Sequence, residues 1–129
     1  MKYLIIVLCL IAASFGCRKK DKVVKEATLL GTWQLKKIVT WAPPGLQGTG
    51  AVENGKMITF NADSTYADSE YRCAGTFSID QSLISVTAPC VSEGMPIIYE
   101  FSLENAATLQ LQDISHPCDE GCVLIFKKL

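Results

Sequence analysis

The stretch "CAGTFSIDQSLISVTAPC", residues 73–90, constrains the fold more than any other. It alternates apolar and polar residues on both sides of Gln81-Ser82, as two strands joined by a two-residue turn do. If opposed positions sum to 163, Ile79 faces Ile84, Phe77 faces Val86, Gly75 faces Ala88 and Cys73 faces Cys90. One register thus matches the apolar positions of one face, residue against residue, and sets the two cysteines opposite each other. Opposed non-hydrogen-bonded positions lie about 4.5 Å apart at Cα, the short end of the range that a disulfide spans. The same period of two runs through most of the chain after residue 30. In "IIYEFSL", Ile97, Tyr99, Phe101 and Leu103 share one face, and in "TLQLQD" Leu109 and Leu111 do. Turn chemistry separates the runs at 61–64, 67–70, 80–83, 92–96 and 104–107. Strands are therefore expected at 31–41, 55–60, 64–68, 71–80, 83–90, 96–103, 107–113 and 122–128. Eight short strands with no long helix point to an all-β fold, an eight-stranded antiparallel up-and-down barrel in preference to a sandwich.

The disulfide reading depends on the compartment, which the opening "MKYLIIVLCLIAASFGCRKK" addresses. Lys2, an apolar run of about ten residues and small residues around Gly16 have the layout of a secretory signal peptide. The run is shorter than the roughly 20 residues that a spanning helix needs. "SFGC" resembles the lipobox of bacterial lipoproteins, although Ser14 stands where Leu is usual. The resemblance implies cleavage after Gly16 and lipidation of Cys17. The chain then divides into a signal peptide (1–16), a lipidated cysteine with a polar tether (17–26) and one domain (27–129). The tether "RKKDKVVKE" holds five basic and two acidic residues. It reads equally as a stretch that lies against anionic headgroups and as a plain spacer. Its basic start, where surface-exported lipoproteins carry acids, favours the outer membrane facing the periplasm. In that oxidising compartment Cys73–Cys90 is a structural staple, worth about 3 kcal/mol in the chain-entropy account. The hairpin register leaves Cys118 and Cys122 of "HPCDEGC" to pair with each other. The competing arrangement is a zinc site from His116, Cys118 and Cys122. It lacks the usual CxxC spacing and competes with oxidation, so no metal and no cofactor are expected.

"LLGTWQL" (29–35) opens the domain. Gly31-Thr32-Trp33 resembles the GxW motif of lipocalins, and "ITFNADSTY" and "CVLIFKKL" are similar to the hairpins and closing strand of compact lipocalin-like domains in bacterial lipoproteins. The resemblance implies that Trp33 packs across the closed end of the barrel against a basic residue of the last strand, Lys127 or Lys128. It also implies that residues 41–55, "WAPPGLQGTGAVENG", form a flap over the mouth, with Trp41 at its hinge and Leu46 and Val52 as apolar contacts. A small hydrophobic ligand would then meet Trp41, Leu46, Phe60, Tyr66, Phe77, Tyr99 and Phe101, with Val86 and Leu109 beside them. The cysteine-bounded hairpin also resembles that of META-type stress lipoproteins, without their Gly-Cys-Asn start.

An eight-stranded barrel is only just wide enough to be filled by its own side chains. The competing reading is therefore a solid, stapled barrel whose loops bind another envelope protein or inhibit it. The domain carries six basic residues against eleven acids, a net of −5, which excludes a nucleic-acid partner. No catalytic residue is expected. His116 is the sole histidine and lies in a Pro- and Cys-containing turn, Ser92 and Glu93 sit in a loop, and Asp119-Glu120 read as solvated turn acids.

Overall fold

The computed structural model describes residues 26, 28–40, 48–116 and 122–129. In chain order the strands are β1 (Gly31–Thr40), β2 (Gly48–Ala51), β3 (Met57–Phe60), β4 (Thr65–Asp68), β5 (Gly75–Asp80), β6 (Leu83–Thr87), β7 (Ile97–Glu104), β8 (Thr108–Asp113) and β9 (Cys122–Lys128). Every pairing is antiparallel between neighbours, and β9 returns to β1. Eight of the strands close the barrel. The ninth, β2, lies on the second half of β1, in line with β3 on its first half.

The hairpin register is the one expected from the sequence: Phe77 pairs with Val86 and Ile79 with Ile84, across a two-residue turn in which Gln81 has φ 55°. Ile97, Phe101, Leu109 and Leu111 are buried as their alternation requires, and Tyr99 and Leu103 pack against the same core. On β9 the inward residues are Leu124 and Phe126.

Three features differ from the expectation. Cys73 and Cys90 do form a disulfide, with Cα atoms 6.0 Å apart instead of about 4.5 Å. The ladder ends at the Thr76–Thr87 pair, and both cysteines stand beyond it in bends and turns. Secondly, β5 begins at 75 and not at 71, because the chain turns immediately after β4. Asp68 drives that turn: its carboxylate accepts from Glu70 N–H (2.9 Å), and its carbonyl from Tyr71 N–H (3.1 Å). Thirdly, the supposed flap 41–55 contains a strand, since Gly48–Ala51 pairs with Thr40–Lys37. Val52 packs against the core instead of lining a flap, while Trp41 and Leu46 lie outside the described residues.

β1 also carries a bulge. Leu35 pairs with Phe126 and Lys37 with Ile125, so Lys36 is an extra residue. It reverses the inward parity of the strand: Trp33 and Leu35 face the core before it, Ile38 after it.

Candidate functional site

One end of the barrel is plugged. Glu26, Thr28 and Leu29 have helical backbone, and the fully buried Leu29 accepts a hydrogen bond at its carbonyl from Trp33 Nε1 (2.8 Å). Lys128 Nζ lies 5.1 Å from the Trp33 ring centroid and donates to the Thr28 carbonyl at 2.9 Å. The last strand thus supplies the cation that the resemblance implied, and it is Lys128. Gly31 makes this contact feasible. Its φ of 123° suits glycine alone, and a Cβ there would stand 3.0 Å from Lys128 Cε. Lys127 instead donates to the Thr108 hydroxyl.

The opposite end carries the loops that contain residues 69–74, 88–96 and 114–116, and Cys73–Cys90 ties the first two together. Just inside this mouth sits a charged pair that the alternation did not single out. Asp68 pairs in register with Ile58, shares its inward face and has a side chain only 1% exposed. It receives Lys56 Nζ and the Tyr66 hydroxyl, each at 3.1 Å. Lys56 also reaches Glu70 at 3.2 Å and lies 5.5 Å from the Tyr71 ring centroid. Burial alone would depress the Lys56 pKa, but the Asp68 and Glu70 carboxylates together outweigh it and hold the ammonium above 10.5. Burial, reinforced by the Asp68 charge, raises the Tyr66 pKa well above its ordinary 10.0. Burial pushes that of Tyr99 up to about 12, against the pull of Lys56.

These three shifts share one sign. In the folded chain each group keeps its proton to a higher pH than in the unfolded chain. Their contribution to stability is therefore complete below about pH 10 and is lost as pH rises beyond it. Denaturant midpoints measured from pH 8 to 12 are expected to hold to about pH 10 and then fall continuously. A midpoint unchanged at pH 11.5 would contradict the described network.

Four residues expected in a ligand site are packed in the core. The Phe60 ring centroid stands 5.3 Å from Tyr66 and 5.0 Å from Phe77, and Phe101 is buried beside them in the same cluster. Tyr99 is half-buried at the mouth. The cavity there, bounded among others by Tyr66, Tyr71, Val91 and Tyr99, has a volume of only ≈ 10 Å³. That is about the space of one water. A larger hollow, ≈ 190 Å³, lies on the outer wall over Glu100, Ser102, Gln110, Gln112 and Val123. Cys122 is disulfide-bonded, whereas Cys118 and the lipidation candidate Cys17 lie outside the described residues. His116 is exposed. Asp113 caps this turn, accepting from the Ser115 and His116 backbone N–H groups at 2.9 and 2.8 Å and from the Ser115 hydroxyl at 2.8 Å. Ser115 Oγ also lies 3.2 Å from His116 Nδ1, so the three side chains hold this turn together.

Comparison with solved structures finds a lipocalin-like protein from Bacteroides uniformis, 17% identical, at a TM-score of 0.57 over 79% of this chain and 99% of that one. The fold is lipocalin-like. An uncharacterized protein from Bacteroides eggerthii matches at 14% identity and a TM-score of 0.42, over 78% of this chain and 99% of that one. No protein-family model matches the sequence, and no curated protein does.

Proposed function

We propose that this chain is an envelope-anchored, non-enzymatic lipoprotein whose solid barrel binds a protein partner through the loops at its stapled end. The observation that carries this reading is the filled interior. Phe60, Tyr66, Phe77 and Phe101 pack where a carrier would hold its cargo, and among the described residues the cavity at the mouth has ≈ 10 Å³, against the 300–1,000 Å³ of ordinary ligand pockets. The anchor rests on the lipobox-like "SFGC". Its placement at the periplasmic face of an outer membrane rests on the basic residues that follow.

A small hydrophobic ligand is the second reading. It is favoured by the mouth itself, where the Tyr71 and Tyr99 hydroxyls make no hydrogen bond among the described residues and apolar Val91 and Ile97 stand beside them. Such a ligand would have to open the loops to enter.

Mass spectrometry of the full-length gene product, extracted from membranes in detergent, tests both parts. The denatured mass is expected to be that of residues 17–129 plus acyl chains, and the native mass per chain to exceed it by nothing. A denatured mass that still includes residues 1–16, without lipid, would remove the anchor. A native excess of a few hundred daltons, lost on denaturation, would replace the interaction module with a carrier.

A further inference from the structure

β2 is the one strand outside the barrel closure. It lies in line with β3 beside β1, but among the described residues no strand flanks its other side. The register fixes which backbone groups that side presents. Val52 N–H donates to the Lys36 carbonyl at 2.9 Å, so position 52 is a bonded position of the β1–β2 ladder. Alternation makes Gly50–Ile38 and Gly48–Thr40 the next bonded pairs. Thr49 and Ala51 therefore turn their N–H and C=O groups away from β1. All four residues of β2 are exposed and uncharged. The strand has none of the lysines, prolines or bulges that usually guard an edge.

The edge is complementary to itself. We propose that β2 pairs with β2 of a second copy of the chain, antiparallel about a two-fold axis at Gly50. Thr49 of each copy then faces Ala51 of the other, and each facing pair exchanges both of its N–H···O bonds. This register uses every outward backbone group of the two residues. Gly50 faces its own symmetry mate at the close, non-hydrogen-bonded position, where the Cα atoms stand about 4.5 Å apart. Within its own chain a Cβ on Gly50 meets nothing within 4 Å. The contact is isologous and closes at two copies. A strand from an unrelated protein is the weaker occupant. Edge addition draws its specificity from side-chain pockets, and a Gly-Thr-Gly-Ala strand offers none.

The test is Gly50→Cys in the full-length protein, oxidised mildly in detergent at high protein concentration. A disulfide-linked dimer is expected, mapped by proteolysis to the two introduced thiols. Adding Thr49→Pro removes an N–H that points away from β1, so the internal ladder survives while the edge is blocked. The cross-linked fraction should then fall about tenfold. Adding Thr49→Val, which keeps that N–H, should leave it unchanged. Either of two results overturns the proposal: a Gly50→Cys protein that melts like the parent yet stays monomeric, or cross-linking that persists with Thr49→Pro.

Discussion

Trp33→Ala should be the most destabilising single truncation in this protein, costing about 3–5 kcal/mol. The indole is fully buried, so its removal loses the transfer energy and leaves a cavity that a closed barrel is poorly able to collapse. It also takes the Nε1 donor from the Leu29 carbonyl and the ring from beneath Lys128. The plug formed by Leu29 then loses both its packing and its hydrogen bond, which couples the N-terminal turn to the barrel end. For a domain of about 100 residues the melting temperature should fall by roughly 15–25 °C. Two milder variants separate the terms. Trp33→Phe keeps most of the packing and leaves the buried Leu29 carbonyl without its donor, at about 1–3 kcal/mol. Lys128→Met removes only the cation over the ring and the bond to Thr28, at about 1 kcal/mol. The expected order is Ala at 33, then Phe at 33, then Met at 128, by denaturant unfolding. A Trp33→Ala cost below that of Lys128→Met would mean that the tryptophan does not organise this end.

That plug was legible in the sequence only through the likeness of Gly-Thr-Trp to a known motif; alternation alone makes Trp33 one more core aromatic. The hairpin needed no such help. A two-residue turn at Gln81-Ser82 fixes the register summing to 163, which puts Phe77, Ile79, Ile84 and Val86 on one face and sets Cys73 opposite Cys90. What alternation hides is any break in itself. The extra residue at Lys36 reverses the inward parity of β1, and a sequence in which Lys36 and Lys37 are both charged has no mark to show where the parity turns. β2 was hidden for a different reason. Gly-Thr-Gly-Ala has poor strand propensity and no apolar face, and it pairs because β1 runs past the end of β3 and offers an unfilled edge. Propensity is local, whereas an edge is a property of the sheet. Asp68 was hidden most completely. Its position puts it on the inward face with Tyr66, yet a carboxylate in an "ADSE" stretch reads as turn chemistry. The lysine that makes its burial tolerable lies in a different strand connection.

That dependence makes the second large effect. Lys56→Met should cost about 3 kcal/mol, because it leaves the Asp68 carboxylate buried with hydrogen bonds from Tyr66 and Glu70 N–H but without its cation. Met matches the length of the lysine stem, so lost packing contributes little and the cost measures the uncompensated charge. The reverse variant, Asp68→Asn, leaves Lys56 still paired with Glu70 at the surface and should cost less. The decisive comparison is the double variant. With Lys56→Met and Asp68→Asn combined, no buried charge remains; the amide oxygen can still accept from Glu70 N–H, and its NH2 group can donate to the Tyr66 hydroxyl oxygen. Stability should recover to within about 1 kcal/mol of the parent, a strongly non-additive result. Additive losses would show instead that the two side chains stabilise the mouth independently and that their 3.1 Å contact carries no coupling. The outcome also bears on function. A pair that can be replaced at little cost is not retained for stability. If the barrel binds a partner as proposed, the pair beneath the stapled loops, with Lys56 against Tyr71, serves to fix the Tyr71 ring and the β4–β5 turn at that end.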